Sequence, residues 1–308
     1  MPNPIVVVSD PIPETTLAEL VPHCDVRVVD GRDRAALLAA VADATALIVR
    51  SGTQVDREVL TRAPALKIVA RAGVGLDNVD VPYARAKGIT VTNAPDSNAV
   101  SVAELTVGLV IASLRHICAA AQHVGAGEWQ RSAFLGSEVA GRTLGILGLG
   151  RVGRQVARRL AAFDMRLIAH DPHVSAADAA GAGCELVSLD RLLKDSDVLT
   201  IHLPKTAETT GLLGETEFAR VKPSLCLVNT ARGGIVDEDA LTAALKNSRI
   251  AFAALDVFAQ EPPVASPLLQ LPNVLATPHL GAGTDSAQRR AGRSAVRSVL
   301  SALGTPGV

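Results

Sequence analysis

Aromatic residues are scarce in this chain of 308 residues: one Trp, one Tyr and five Phe. Proteins that grip single-stranded nucleic acid stack bases on aromatic side chains, so that class loses its main device. Excess charge is also missing, with 30 Lys and Arg against 31 Asp and Glu. A net of −1 gives no global attraction to nucleic acid or to an anionic membrane surface. Cysteine is rare: Cys24, Cys118, Cys184 and Cys226. None are spaced for a metal knuckle or a C-x-x-C redox pair, so no metal site is expected. Each lies in or beside an apolar stretch, where a small buried hydrophobe fits, and the expected compartment is the reducing cytoplasm. The opening Met-Pro-Asn-Pro-Ile-Val-Val-Val lacks the basic start and cleavage site of a signal peptide. The longest apolar run, Leu105–Leu114, is flanked by Glu104 and Arg115 and falls short of the roughly 20 residues that span a bilayer.

Apolar residues are plentiful, 48% against 20% charged, which is globular composition. At about 150 residues per domain, two domains are expected. Short β-branched runs at Ile5–Ser9, Ala46–Val49, Leu66–Ala70 and Ile89–Thr92 read as strands, with helices at Thr16–Val21 and Arg34–Val41. A long helix is expected over about Ser101–Val124, opened by a Ser101/Glu104 capping box and ended by Gly125 and Gly127. Its middle is apolar all round, which predicts burial between layers. A second series follows: strands at Thr143–Leu147, Arg166–His170, Asp197–His202, Leu225–Asn229, Ala251–Asp256 and Val274–Thr277, with helices such as Arg151–Phe163 between them. Alternation of this kind predicts α/β architecture with six parallel strands in a doubly wound sheet. A last helix is expected over about Asp285–Leu303.

Gly148-Leu149-Gly150-Arg151-Val152-Gly153 is G-x-G-x-x-G, entered from a strand and left by a helix. The first Gly permits the tight turn, the second lets backbone approach a pyrophosphate, and the third lets helix and strand pack closely. The helix N-terminus offers free N–H groups to the phosphates. The next strand ends at Asp171, about 20 residues on, where a carboxylate suits the ribose hydroxyls of NAD and repels the 2′-phosphate of NADP.

Ligands of open α/β sheets sit beyond the carboxyl ends of the strands. Three successive strand ends carry Arg232, Glu261 and His279. Together they supply a cation, an acid and an imidazole. His279 suits general base catalysis on a secondary alcohol, because imidazole changes charge near neutral pH. Glu261 can hold its other ring nitrogen, and Arg232 can grip a carboxylate with its planar fork. His116, His123 and His170 read as structural, and His202, also at a strand end, is the nearest competitor to His279.

With these residues in view, the chain resembles the D-isomer-specific 2-hydroxyacid dehydrogenase family over nearly its whole length. Leu144–Gly153, Val228–Gly234, Asp256–Pro262 and Thr277–Ala282 carry the resemblance. It implies a Rossmann-type doubly wound parallel-sheet cofactor domain and a smaller flavodoxin-like α/β substrate domain. The expected division is 99–282 for the NAD-binding domain, with 1–98 and 283–308 forming the substrate domain; two crossings make a hinge, so closure on substrate is expected. The resemblance implies NAD as cofactor, a small 2-hydroxy or 2-keto acid as partner, and Arg232, Glu261 and His279 as catalytic residues. It implies cofactor contacts at Val74, Gly148, Gly150, Arg151, Val152, Gly153, Asp171, Leu203, Pro204, Thr230, Ala231, Asp256 and Ala282.

Arg50-Ser51-Gly52-Thr53, the segment from Arg71 to Asp80, and Gly127–Arg131 are similar to those of family members with phosphorylated substrates. Substrate contacts are accordingly expected at Arg50, Ser51, Arg71, Gly73, Asn98 and Arg131, besides Arg232 and His279, with Arg50, Arg71 and Arg131 taking a phosphate. Gln54, often Lys in such members, favours the alternative of a glyoxylate/hydroxypyruvate reductase or a D-lactate-type enzyme. Val74 and Asp164 stand where Thr and Gly are common. A dinucleotide-sensing binding protein is the alternative from another class. No regulatory domain is expected beyond the last helix. A homodimer is expected, because Val102–Cys118 has more apolar faces than one domain covers, and the resemblance implies the same.

Overall fold

Parallel strands covered on both faces read as unbroken apolar runs rather than alternating ones. In the computed structural model, which describes residues 3–304, such runs build the centres of two sheets. The chain divides into two compact units, residues 1–98 with 282–308, and residues 99–281.

The first unit begins β1 (Ile5–Val8), α1 (Glu14–Leu17), β2 (Asp25–Val28), α2 (Arg34–Ala40), β3 (Ala46–Val49), α3 (Arg57–Arg62), β4 (Ile68–Arg71), α4 (Val81–Ala86) and β5 (Thr90–Thr92). Its five strands are parallel in the order β2-β1-β3-β4-β5, the flavodoxin-like arrangement. β2, unexpected from the sequence, is the half-exposed edge. Asp33, Asp56 and Asp80 cap α2, α3 and α4 through backbone N–H groups, each cap contributing about 1 kcal/mol.

The second unit runs α5 (Ala99–Leu114), α6 (Ile117–Gly125), β6 (Thr143–Leu147), α7 (Arg151–Ala161), β7 (Arg166–His170), α8 (Ala176–Gly181), β8 (Glu185–Leu186), α9 (Leu189–Asp195), β9 (Val198–Ile201), α10 (Glu215–Phe218), β10 (Cys226–Asn229), α11 (Glu238–Lys246), β11 (Phe252–Leu255) and β12 (Val274–Ala276). Seven strands, one more than expected, lie parallel in the order β12-β11-β10-β9-β6-β7-β8. This is the Rossmann arrangement, and the strand order reverses between β6 and β9. Apolar clusters fill both faces of the sheet.

The chain then re-enters the first unit as α12 (Asp285–Ala302), capped by Thr284. Ala291, Ala295, Val296, Val299 and Leu300 form one stripe of α12 and close the core against Val6, Val8, Ile48, Ile68 and Ala70.

The single long helix expected over 101–124 is two helices, bent by 65°. His116 takes a left-handed conformation, φ 52°, which no α-helix continues through. The helix starts at Ala99, so Ser101 and Glu104 lie inside it and form no capping box; Glu104 instead pairs with Arg159 at 3.3 Å. Burial holds for α5, whereas α6 has no buried residue. Cys118 on α6 is exposed, against expectation, while the other three cysteines are buried. No single helix is long and apolar enough to cross a membrane among the described residues. Asp164, where Gly is common, takes φ 57°, the conformation Gly supplies most readily, and its carbonyl accepts from Gly141 N at 3.0 Å.

Candidate active site

The glycine loop leaves β6 at the reversal of strand order and opens α7. Gly148 has φ 95°, and a Cβ there would come within 2.8 Å of the His202 carbonyl. A Cβ at Gly153 would run into the Gly148 carbonyl, so helix and strand pack as closely as the motif requires. At Gly150 a Cβ would meet nothing within 4 Å. That open space lies at the N-cap of α7, whose first N–H groups have no capping side chain. Small residues, a helix N-terminus without a side-chain cap and open space together fit a pyrophosphate.

Asp171 follows β7. Its Oδ2 accepts from Leu149 N at 2.9 Å and its Oδ1 from His173 N at 2.9 Å. The carboxylate therefore shapes the glycine loop, and each oxygen keeps a further lone pair for a ribose hydroxyl. Leu203 and Pro204 follow β9, Leu203 partly buried and Pro204 exposed. His202, the competitor for general base, has both ring nitrogens buried with no hydrogen-bond partner. Burial pushes its imidazole down to about 3, so it stays neutral and accepts no proton at physiological pH.

Three loops of the second unit carry Arg232, Glu261 and His279, the residues expected to be catalytic. After β10, Asn229 Oδ1 accepts from Ala231 N at 3.0 Å and its Nδ2 donates to the Arg232 carbonyl at 3.0 Å. After β11, Glu261 Oε1 accepts from Phe258 N at 3.1 Å and Glu238 Oε1 from Ala259 N at 2.5 Å. Gly233 lets these two loops touch: a Cβ there would overlap the Phe258 carbonyl. After β12, the buried Asp256 carboxylate accepts from Thr277 Oγ1 at 2.6 Å, Leu280 N at 2.7 Å and Gly281 N at 2.9 Å. These bonds hold His279 at φ 54°. Its Nδ1 lies 2.7 Å from Glu261 Oε2. With Nδ1–H donating to the carboxylate, Nε2 carries the lone pair that can take a proton. Half of the His279 side chain is exposed, so it is reachable from solvent.

In the first unit, Arg50 and Arg71 leave the same ends of the paired strands β3 and β4. Arg50 Nη1 donates to the Pro11 carbonyl at 3.1 Å, and Asp10 accepts from Arg50 N at 2.6 Å. Gly73 makes room for the Arg71 guanidinium, which any side chain there would strike. Ser51 is exposed, Val74 and Asn98 are partly buried, and Val74 O accepts from Asn93 Nδ2 at 2.6 Å. Arg131 belongs to the second unit, exposed on a 3₁₀ turn after α6. His123 steadies that segment: it pairs with Glu128 at 2.9 Å, accepts from Gln130 N at 3.1 Å and packs edge-on to Phe134. Ala282 opens the returning stretch of the first unit.

The roles of Asn229, Glu238 and Asp256 in shaping these loops did not emerge from the sequence. Asn229 ends β10 and Asp256 follows β11 within the quoted motifs, and the resemblance marked Asp256 only as a cofactor contact.

The profile of the D-isomer specific 2-hydroxyacid dehydrogenase, NAD binding domain, matches residues 107–281. D-3-phosphoglycerate dehydrogenase of Mycobacterium tuberculosis is 52% identical over 303 residues, 98% of this chain and 57% of that protein. The chain thus spans little more than half the length of this relative. Among solved structures, the TT0316 protein of Thermus thermophilus superposes with a TM-score of 0.91 at 36% identity, covering 97% of each chain. A glyoxylate reductase of Paecilomyes thermophila gives 0.89 at 31%, covering 100% of this chain and 98% of its own. The parallel sheets, the glycine loop and the matched profile agree, and the chain belongs to the D-isomer specific 2-hydroxyacid dehydrogenase family.

Proposed function

We propose that the protein is an NAD-dependent D-2-hydroxyacid dehydrogenase that interconverts 3-phospho-D-glycerate and 3-phosphohydroxypyruvate, the oxidation that leads into serine synthesis. The observation that carries the dehydrogenase reading is the 2.7 Å pair between His279 Nδ1 and Glu261 Oε2 beside the Arg232 loop. A dinucleotide held by the glycine loop and Asp171 would supply the hydride acceptor for oxidation as NAD and the hydride donor for reduction as NADH. His279 Nε2 takes the hydroxyl proton in oxidation and gives it back in reduction. Glu261 keeps the ring oriented and stabilises the imidazolium, and Arg232 grips the substrate carboxylate. Arg151, Val152, Ala231 and Asp256 complete the assigned cofactor contacts.

The phosphorylated substrate is supported by the name of the Mycobacterium relative and by Arg50 and Arg71 at neighbouring strand ends. Arg131 is assigned to the same phosphate. Losing a charge-assisted hydrogen bond costs about 1.5–3 kcal/mol, so Arg50→Ala should lower kcat/KM for phosphohydroxypyruvate about ten- to a hundredfold. Hydroxypyruvate, which lacks the phosphate, should be nearly unaffected. Equal loss on both substrates would favour the reductase reading, which the similar glyoxylate reductase and Gln54 support. A panel of phosphohydroxypyruvate, hydroxypyruvate and glyoxylate with NADH tests the function directly.

Cofactor choice is assigned to Asp171. The wild type should prefer NADH to NADPH, and Asp171→Ala should narrow the gap. Equal kcat/KM for the two cofactors in the wild type would remove Asp171 from this role.

We further infer a homodimer in the cytoplasm. α6 buries nothing, and Trp129 and Leu135 are 75% and 89% exposed, an apolar surface suited to a second copy of the chain. Light scattering at micromolar concentration should give twice the chain mass; a monomer would contradict the assembly.

A further inference from the structure

One turn of α5 braces two of the loops that carry the reactive groups. Thr106 is fully buried, and its hydroxyl donates to the Val102 carbonyl at 2.8 Å. The same oxygen lies 2.8 Å from Thr230 Oγ1, across 124 residues of chain. A hydroxyl has one proton and two lone pairs. The Thr106 proton is committed to Val102, so the proton in the Thr106–Thr230 contact comes from Thr230. Thr230 therefore donates inward, and its oxygen is left as an acceptor only. Thr230 stands between Asn229, the last residue of β10, and the Ala231–Arg232 step. At the other end of the turn, a Cβ on Gly281 would come within 3.1 Å of Val102 Cγ2 and 3.3 Å of Asp256 Oδ2. The turn from Val102 to Thr106 thus abuts the loop that follows His279 as well as Thr230, two residues before Arg232.

We propose that Thr106 is a positioning residue for hydride transfer, and that it acts through Thr230. By fixing the Thr230 proton it presents Thr230 Oγ1 as an acceptor for a donor of the bound dinucleotide, an amide N–H or a ribose hydroxyl. By the same contact it holds the Arg232 loop in register with the His279 loop. The proposal rests on the dehydrogenase reading above.

Thr106→Val keeps the branched shape and removes the hydroxyl, which frees the Thr230 proton to turn toward the cofactor. Thr106→Ser keeps the hydroxyl. Losing one buried hydrogen bond corresponds to about tenfold, so Thr106→Val should weaken NADH binding and lower kcat each by up to about tenfold. Thr106→Ser should stay near the wild type. In the Thr230→Val background, Thr106→Val should have no further effect, because the pair acts as one unit. NADH binding is followed by its fluorescence in the absence of substrate, and kcat and KM on the 2-keto acid that turns over. Wild-type binding and kcat in Thr106→Val would overturn the proposal, as would a Thr106→Ser variant as impaired as Thr106→Val, or additive losses in the double variant. If Thr106→Val fails to fold, Thr230→Ser against Thr230→Val makes the same comparison, and equal NADH affinity in those two would overturn it. Should the wild type turn over none of the 2-keto acids, the proposed function fails, while the NADH binding series still decides the role of Thr106.

Discussion

His279→Ala is expected to lower turnover by about 10²–10⁴, the usual share of general acid–base catalysis, with NADH binding nearly unchanged. The lost group is local. Nδ1 is engaged by Glu261, so the whole loss is that of the proton acceptor at Nε2. The surrounding loop does not depend on the imidazole: His279 N donates to the Asp256 and Thr277 carbonyls, and the Asp256 carboxylate holds Leu280 and Gly281. Alanine in the left-handed conformation costs about 1–2 kcal/mol, which those bonds can sustain. The variant should therefore fold and bind cofactor while failing to move the proton. Wild-type-like turnover in the purified variant would exclude His279 as the base. His202 would not replace it, since its nitrogens are buried and its charged form is strongly disfavoured.

Gly233→Ala is expected to cut kcat/KM by about a hundredfold, the effect of displacing reactive groups by about 1 Å. Its added Cβ would overlap the Phe258 carbonyl, which is backbone and cannot rotate away. The Phe258–Ala259 segment is pinned from both sides by Glu261 and Glu238, so it has little freedom to yield. Either the Arg232 loop or the Glu261 loop must move. Overpacking of this kind also costs about 1–3 kcal/mol of stability, readable as a lower Tm. Kinetics and Tm both matching the wild type would show that the two loops are not in register through Gly233.

The edge strands β5 and β12 were legible as short apolar or β-branched runs, but the plainest signal came from the sheet centres. β1, β3, β4, β6, β9 and β10 are central strands, and burial on both faces leaves an apolar run that needs no tertiary information. β2 and the two-residue β8 lie at sheet edges, where exposure dilutes that signal. The break between α5 and α6 has no Gly or Pro to mark it; it rests on the left-handed turn at His116, whose ring packs on Phe252 far along the chain. In the candidate site, Glu261 and His279 were readable as a pair because topology sends successive strand ends to one edge. Thr106 was not, because an interior helix threonine bonded across 124 residues looks like any other core residue. Asp171 was readable by its distance from the glycine loop, but its bond to Leu149 N, which makes it part of that loop, was not.

Placing α12 after the whole second unit sets the order of events during synthesis. The residues that cover Val6, Val8, Ile48, Ile68 and Ala70 lie between Ala291 and Leu300. A ribosome adding about 5–20 residues per second must therefore deliver the entire contiguous second unit before the first can close its core. The segment made first is thus completed last, and its apolar sheet face waits uncovered while residues 99–281 are being made. The nascent chain is most open to aggregation and to chaperone capture during that interval, and a chain cut short between Gly281 and α12 would hold a complete second unit beside a first whose core is still open.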